Sequence, residues 1–353
     1  MVDRNMNNNM KKKALITGGA GYFGSLLLRK LLEKNYDCAI FDLNDADDRP
    51  ENVEFIQGDI RDYDAVLAAC QGVNVVHHNV AQVPLAKDKE AFHTVNYNGT
   101  DNLLRAALEA KVDKVVHTSS SAIFGIPDKN PVTEATPPRP GEAYGKAKYE
   151  GELLCRTYVD KGLDVSIIRP RTIMGHGRLG IFQILFEWIY EGYNVPVFGK
   201  GDNVYQFVHA DDLADACILA GEKAGSETYN CGAEKFGSMR QVLEALCQHA
   251  NTGSKVSGVP MMPAVMGMKL TSAIGLSPLG AYHSLMYGNS MYFDISKAKR
   301  ELDWAPKFSN EEMFIESYEW YVENRQAVMS ATTGSHHRRG VKQGVLGLVK
   351  RIL

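Results

Sequence analysis

The sequence predicts an α/β fold in which a parallel sheet carries helices on both faces. Short apolar runs suited to strands lie at 14–17, 38–41, 53–57, 73–77, 114–118 and 165–169. Between several of them, apolar residues recur at helical spacing over 22–34, 62–69, 89–110 and 143–159. Strands that alternate with helices in this way form parallel βαβ units with right-handed crossovers. The first half of the chain is therefore predicted to be a Rossmann-type doubly wound sheet.

After residue 171 the pattern is less regular. Helices are predicted near 181–190, 212–220, 239–250 and 310–323, with a strand-like piece near 204–208. Residues 1–12 are rich in asparagine and lack the apolar centre of a signal peptide, so we expect a disordered tail. There is no run of about 18 apolar residues, and we expect no transmembrane helix.

The composition excludes several classes of protein. The 353 residues include 39 Lys and Arg against 42 Asp and Glu, and this balance argues against a nucleic-acid partner. The 6 cysteines are scattered without a C-x-x-C pair. They are predicted to be buried thiols of a cytoplasmic protein, and no metal site or disulfide framework is expected.

A tyrosine and a lysine in the predicted helix 143–159 suggest redox chemistry. Tyr144 and Lys148 are four residues apart and share one helix face, so the ammonium is predicted to lower the pKa of the phenol. Tyr144 then becomes an acid or base for a substrate hydroxyl. A hydroxyl from the cluster Ser119–Ser121 is predicted to hold the substrate oxygen while a bound cofactor exchanges the hydride.

The glycine-rich turn at residues 17–24 follows the first strand and opens a helix. Gly18, Gly21 and Gly24 leave backbone amides bare at a helix N-terminus, where they can approach a pyrophosphate. Asp42 ends the second predicted strand, where a carboxylate accepts hydrogen bonds from both adenosine ribose hydroxyls.

The charges around Asp42 indicate which dinucleotide binds. Acidic neighbours at positions 45, 47 and 48 would repel a 2′-phosphate, and Arg49 is the nearby cation that could oppose this effect. The sequence therefore predicts NAD as the cofactor in preference to NADP.

These motifs have counterparts in one known family. The chain resembles the extended short-chain dehydrogenase/reductase family at residues 17–24, 58–62, 118–125, 144–148, 169–175 and 207–214. That family includes nucleotide-sugar epimerases, dehydratases and enzymes related to 3β-hydroxysteroid dehydrogenase. The resemblance implies an NAD-binding domain over 13–171, to which 204–222 returns, a substrate-binding lobe over 172–325, a linker and tail over 326–353, and a homodimer.

The resemblance also implies roles for individual residues. The catalytic set is Ser120, Tyr144 and Lys148, with Ser119 and Ser121 as alternatives to Ser120. The cofactor-binding set is Gly18, Gly21, Tyr22, Phe23, Gly24, Asp42, Asp59, Ile60, Val80, Ala81, Gln82, Tyr144 and Lys148. Two of the polar positions have simpler explanations. Asp59 is alternatively a helix N-cap, and Asn96, implied to lie behind the site, is alternatively on a solvated helix face.

The residues after Ser120 restrict the reaction. Dehydratases of the family carry an Asp-Glu pair there, whereas this chain has Ser121 and Ala122. Elimination of water thus lacks its acid and base, and epimerase, dehydrogenase or reductase chemistry is left. Glu142 is either an auxiliary base or an exposed residue of the first helical turn.

The substrate is less well defined by the sequence. Nucleotide-sugar members carry an Asn and an Arg where this chain has Thr172 and Tyr205. Ser121 and Thr172 are candidate substrate residues, together with three arginines that suit phosphate unless they are merely solvated: Arg171, Arg178 and Arg240. We expect a small-molecule substrate, with a nucleotide-sugar epimerase as the leading hypothesis.

Two apolar segments favour a different substrate. The stretch 259–279 is rich in methionine, which suits either a greasy site or ordinary core packing. Residues 336–353 combine basic and apolar side chains as an interfacial membrane helix does, although three glycines weaken that pattern. These segments suggest a membrane-associated dehydrogenase or reductase of a steroid-like or sphingoid-like alcohol or ketone. A non-catalytic NAD-binding protein is the third alternative.

Overall fold

The structure is a computed structural model that describes residues 11–46, 48–81, 93–260, 266, 287–330 and 350. Its strands are β1 (Lys13–Thr17), β2 (Asp37–Asp42), β3 (Glu54–Gln57), β4 (Val75–His78), β5 (Lys114–Thr118), β6 (Val165–Pro170), β7 (Thr172–Met174), β8 (Val195–Phe198), β9 (Val204–Tyr205), β10 (Phe207–His209), β11 (Thr228–Cys231), β12 (Gly237–Ser238) and β13 (Val256–Val259). Its helices are α1 (Tyr22–Glu33), α2 (Tyr63–Cys70), α3 (Gly99–Glu109), α4 (Ala143–Asp160), α5 (Phe182–Tyr190), α6 (Ala210–Glu222), α7 (Met239–Ala250), α8 (Ser296–Leu302) and α9 (Asn310–Ser330).

The main sheet has seven strands in the order β11-β6-β5-β4-β1-β2-β3, and every pairing in it is parallel. Strands β1 and β4 to β6 are buried almost throughout because helices cover both faces of the sheet. The predicted Rossmann-type fold is confirmed. Strand β11 was not predicted, since its short mixed sequence Thr-Tyr-Asn-Cys carries no strong apolar pattern.

Two hydrophobic clusters flank the sheet and a third lies in the second half of the chain. Helices α1 and α6 pack together on one face, and α2, α3 and α4 cover the other. The third cluster is built from α5, α7 and α9 together with β8 to β10. Although they follow residue 171, strand β11 is part of the main sheet and helix α6 packs on one of its faces. The exact boundaries of the two lobes stay a prediction.

Several predicted features fall on parts of the chain outside the described residues. These are the tail over residues 1–10, Gln82, most of the methionine-rich stretch 259–279, and the segment 336–353 apart from Lys350. In the described part, no helix combines the length and apolar character needed to cross a membrane. All 6 cysteines are buried and free, as expected.

Candidate functional site

The glycine turn between β1 and α1 fits a dinucleotide pyrophosphate. Gly18 has φ +73°, and a Cβ there would lie 3.1 Å from the amide nitrogen of Val80. A Cβ on Gly24 would lie 2.1 Å from the carbonyl oxygen of Gly18, so glycine is required at both positions. Helix α1 begins after Gly21 with no acidic residue in its first turn. Its N-terminus therefore offers backbone amides and a positive dipole end to an anion.

Asp42 lies at the carboxyl end of β2, next to this turn. Its carboxylate accepts the amide N–H of Ala20 at 3.1 Å and that of Leu43 at 2.8 Å. Burial raises the pKa of Asp42, whereas the amide hydrogen bonds lower it. Arg49 does not supply charge for a 2′-phosphate, because its Nε and Nη2 donate to Asp45 at 2.7 and 2.8 Å.

The next two cofactor candidates follow β3. Asp59 accepts hydrogen bonds from the Nε of Arg61 at 2.9 and 3.0 Å, and the pKa of its carboxyl is lowered chiefly by that side chain. The N-cap of α2 is Asp62, so the N-cap interpretation of Asp59 was wrong. Ile60 is buried against Gly99, the first residue of α3.

The other cofactor candidates surround the glycine turn. Tyr22 and Phe23 are buried in the first turn of α1, and the hydroxyl of Tyr22 donates to the carbonyl of His176 at 3.0 Å. Val80 and Ala81 are half-buried in the chain that leaves β4. Their roles toward the cofactor remain predictions.

Two of the three serines have charged partners. Ser119 donates to the carboxylate of Glu152 at 2.6 Å, inside α4. Ser121 accepts from the Nη1 of Arg171 at 2.8 Å. Both hydroxyls are engaged by groups that lie beyond the predicted catalytic set.

Ser120 is the serine whose hydroxyl acts on Tyr144, where it lowers the pKa of the phenol. Its Oγ accepts the amide N–H of Ala122 at 3.1 Å, which caps a short 3₁₀ turn. Burial raises the pKa of Tyr144 to about 12 and the charge of Glu142 adds to this effect, although the Ser120 hydroxyl and the charge of Arg178 lower the pKa. The phenol is therefore protonated at neutral pH, and among the described residues Arg178 is a cation whose charge lowers its pKa.

Lys148 lies on α4 as predicted, and its ammonium contacts the end of β5. Its Nζ donates to the carbonyl of Thr118 at 2.8 Å, at the end of β5. Burial lowers the pKa of Lys148 to about 8, against the opposing effects of Cys155 and Glu152. The prediction that Lys148 holds the pKa of Tyr144 down is wrong for this state, because burial outweighs the charges around the phenol.

Glu142 is the N-cap of α4. Its two carboxylate oxygens accept the amide N–H groups of Tyr144 at 2.7 Å and Gly145 at 2.6 Å. The residue is half-buried, so the description of it as an exposed first-turn residue was wrong. Burial raises its pKa, and the two amide hydrogen bonds lower it. A carboxylate used in this way positions Tyr144 in the first turn of the helix.

Asn96 lies in a π-helical turn, Thr94–Asn98, that precedes α3. Only 3% of it is exposed, and its carbonyl accepts the hydroxyl of Thr100 at 2.7 Å. The alternative of a solvated helix face is thus wrong.

The substrate candidates Arg171 and Thr172 are consecutive residues directly after β6. The guanidinium of Arg171 lies 4.5 Å from the ring centre of Tyr205 and 5.6 Å from that of Phe293. The hydroxyls of Thr172 and Tyr205 are 2.9 Å apart and bond to each other. The two residues that replace the family's Asn and Arg are therefore paired with one another.

Arg178 and Arg240 differ in their surroundings. Arg178 lies 5.3 Å from the ring centre of Tyr22, and its charge also lowers the pKa of Tyr144, so it lies between the helix that follows the glycine turn and the candidate catalytic tyrosine. Arg240 donates to Glu244 at 2.9 Å, one turn further along α7. The charge of Arg240 is thus largely compensated by Glu244.

Three further ionisable side chains form a cluster near the hydroxyl of Tyr22, which donates to the carbonyl of His176. His176, His209 and Glu316 place their ligand-type atoms within 4.8 Å of one another. The Nδ1 of His209 accepts the amide N–H of Asp211 at 3.2 Å, so its proton resides on Nε2, which lies 2.6 Å from Glu316. In that tautomer the Nδ1 lone pair accepts the Asp211 amide and Nε2 carries the proton, so the cluster is better described as a hydrogen-bond network.

Sequence reasoning missed the buried pair of Glu152 and Arg169. The carboxylate accepts from Nε at 2.9 Å and from Nη2 at 2.7 Å, and both side chains are at most 1% exposed. Two signals could have revealed it: an acidic residue four positions after Lys148 on the buried helix face, and an arginine at the end of an apolar strand. This pair fixes α4, which carries Tyr144, to β6.

Comparison with known proteins identifies the family. Residues 14–232 match the model of the NAD dependent epimerase/dehydratase family. The chain belongs to this family. Together with its fold, its motifs and the relatives described below, this match makes it an NAD-dependent enzyme of the extended short-chain dehydrogenase/reductase type.

The relatives of this family member cover most of its length. It is 51% identical to an uncharacterised protein of Sinorhizobium fredii, over 96% of this chain and 85% of that protein. It is 30% identical to UDP-glucose 4-epimerase of Mycolicibacterium smegmatis, over 89% of this chain and 100% of the other. It is also 30% identical to a 3 beta-hydroxysteroid dehydrogenase/Delta 5-->4-isomerase of Mycobacterium tuberculosis, over 88% of this chain and 90% of the other.

A solved structure of Thermotoga maritima UDP-glucose 4-epimerase with UDP-glucose resembles this enzyme with a TM-score of 0.75 and 25% identity. The alignment covers 89% of this chain and 99% of that one.

Proposed function

We propose that this enzyme is a nucleotide-sugar epimerase that works through a transient keto intermediate. The observation that carries the proposal is the pair of guanidinium groups beside the catalytic residues. Arg178 acts on Tyr144, and Arg171 donates to Ser121. Two cations at the reacting end favour a polar, anionic substrate over a steroid.

The residues divide the proton chemistry between them. Ser120 holds the oxygen of the sugar hydroxyl, and Tyr144 accepts its proton and later returns it. NAD held by the glycine turn and Asp42 would supply the hydride acceptor and donor, and the positive charge of its oxidised ring would favour the phenolate. Lys148, whose Nζ donates to the Thr118 carbonyl, would bind the nicotinamide ribose. Glu142 sets the start of α4 and so the position of Tyr144.

Elimination of water is disfavoured by the same geometry. Ser121 and Ala122 offer no acid or base, and both oxygens of Glu142 cap the helix. The two amide hydrogen bonds stabilise the charged carboxylate and lower its pKa, which opposes its use as a base. The reaction that is left is oxidation of the sugar followed by its reduction on the opposite face.

The test is to supply NAD-loaded protein with UDP-glucose and to follow both the epimeric product and the absorbance of reduced nicotinamide. Epimer formation without net cofactor reduction supports the proposal. Tyr144→Phe should remove nearly all conversion and retain NAD binding, because only the proton transfer is lost. Equal conversion by Tyr144→Phe and the parent would reject the assignment of Tyr144.

A second candidate function is favoured by the similarity to the hydroxysteroid dehydrogenase. In that case the enzyme oxidises or reduces a lipid-like alcohol or ketone of steroid or sphingoid type, with net turnover of NAD. The same assay decides, because net reduction of NAD by a 3β-hydroxysteroid, without epimerisation of UDP-glucose, supports this candidate.

Membrane association of residues 336–353 and a homodimer complete the proposal. In the described part of this segment, Lys350 pairs with Glu191 and lies 4.4 Å from the ring centre of Tyr193. Removal of residues 336–353 should reduce binding to anionic vesicles, where each basic residue contributes about 1 kcal/mol. Unchanged vesicle binding would reject the membrane role, and the molecular mass in solution tests the dimer.

A further inference from the structure

Arg171 is a buried cation with incomplete hydrogen bonding. It is 1% exposed. Its Nη1 donates to Ser121 at 2.8 Å and lies 3.3 Å from the sulfur of Met291. Within the described part of the chain, its Nε and Nη2 have no hydrogen-bond partner. A buried donor without a partner costs free energy, more so when it is charged, so these two positions call for an acceptor.

The two unpaired donors form one edge of the guanidinium. The N–H groups on Nε and Nη2 point in the same direction and match the two oxygens of a carboxylate. This chain uses that edge elsewhere. Arg169 presents it to Glu152 at 2.9 and 2.7 Å, and Arg49 presents it to Asp45 at 2.7 and 2.8 Å. In Arg171 no described side chain accepts from the same edge.

The unpaired edge belongs to the candidate active site. Arg171 follows β6 at the carboxyl edge of the sheet, where ligands of such folds bind. Its Nη1 holds Ser121, the residue directly after Ser120. The aromatic rings of Tyr205 and Phe293 lie on the guanidinium and exclude water, which strengthens a charge-assisted hydrogen bond there.

We infer that Arg171 binds a carboxylate carried by the substrate close to its reacting carbon. The inference rests on the proposed function and refines it, since the substrate becomes a nucleotide-linked sugar acid. A planar carboxylate fits one guanidinium edge with two parallel hydrogen bonds. The same group on a lipid-like alcohol would satisfy Arg171 equally well, so the experiment separates the two sources.

The first arm compares UDP-glucuronic acid with UDP-glucose on the NAD-loaded full-length protein. Two charge-assisted hydrogen bonds predict a kcat/KM for the acid that is higher by roughly tenfold to a hundredfold. Arg171→Lys keeps the charge but loses the edge, and Arg171→Met loses both. Each variant should lose most of the preference in kcat/KM for the acid over UDP-glucose. Arg300 is an exposed arginine on α8, and Arg300→Met should retain that preference.

Binding provides a readout that does not depend on turnover. Calorimetric titration of both sugar nucleotides into Tyr144→Phe, with and without Arg171→Lys, should show the same loss of preference for the acid. Melting curves and NAD titrations establish that each variant is folded. If Arg171→Met does not fold, Arg171→Lys alone decides the question.

The outcomes distinguish this inference from the proposed function. If UDP-glucose is epimerised and the acid has no Arg171-dependent advantage, the inference is overturned and the proposed function stands. If neither sugar nucleotide reacts, a 3β-hydroxysteroid is compared with its 4α-carboxylate. An Arg171-dependent preference for that carboxylate supports the inference with a lipid source and rejects the sugar proposal. No preference in either pair of compounds overturns the inference.

Discussion

Ser120 and Tyr144 lie close enough for the Ser120 hydroxyl to lower the pKa of the phenol, and Ser120 also accepts the amide N–H of Ala122 at 3.1 Å. The oxygen of Ser120 is thereby held between the end of β5 and the start of α4. A substrate oxygen that replaces one of these contacts would meet both a fixed hydroxyl and the proton-transferring phenol.

Ser120→Ala should lower kcat by about 10²–10³, the range for loss of one preorganised donor, with NAD affinity unchanged. Ser119→Ala should mainly lower the melting temperature, because Ser119 donates to the buried carboxylate of Glu152. Steady-state kinetics, NAD titrations and melting curves of the two variants and of Ser121→Ala test this. A greater loss of kcat in Ser121→Ala than in Ser120→Ala would make Ser121 the catalytic hydroxyl.

Local patterns in the sequence were sufficient for the fold and for the elements that carry the candidate catalytic residues. Helical spacing placed Tyr144 and Lys148 on α4, and the glycine pattern located the turn before α1. The direction in which the pKa of Tyr144 moves could not be found in this way. It depends on burial and on Arg178, which follows β7 and reaches the phenol only in the folded chain.

Arg178→Met should move the limb of the pH–rate profile that reports Tyr144 to higher pH. Arg178 lowers the pKa of Tyr144, so its removal raises that pKa and decreases the phenolate fraction at a fixed pH. At a pH below the pKa, the rate falls about tenfold when the pKa of Tyr144 rises by about one. Arg178→Lys, which retains the charge, should restore the parent profile in part. A change in KM alone, with the profile in place, would mean that Arg178 only binds substrate.

Asp42→Ala should decrease the preference for NAD over NADP. The carboxylate lies at the end of β2 beside the glycine turn, and Arg49 is committed to Asp45. Because Asp42 also holds the amide of Ala20, both dinucleotides should bind more weakly, and the informative quantity is the ratio of their dissociation constants. Fluorescence titrations of the parent and the variant give that ratio. Tighter binding of NADP than of NAD by the parent would refute the charge argument.

Glu152→Ala should lower the free energy of unfolding by about 3–5 kcal/mol, because it leaves the buried guanidinium of Arg169 without its counter-charge. Both side chains are at most 1% exposed, so water cannot replace the lost carboxylate. Chemical denaturation measures the change.

Glu244→Ala provides the matched control. It breaks the Arg240 pair, whose side chains are 33% and 53% exposed, and should cost at most about 1 kcal/mol. The double variant Glu152→Leu with Arg169→Met should recover part of the loss, since an apolar pair needs no counter-charge. A loss in Glu152→Ala no larger than in Glu244→Ala would show that the buried pair does not hold α4 to β6.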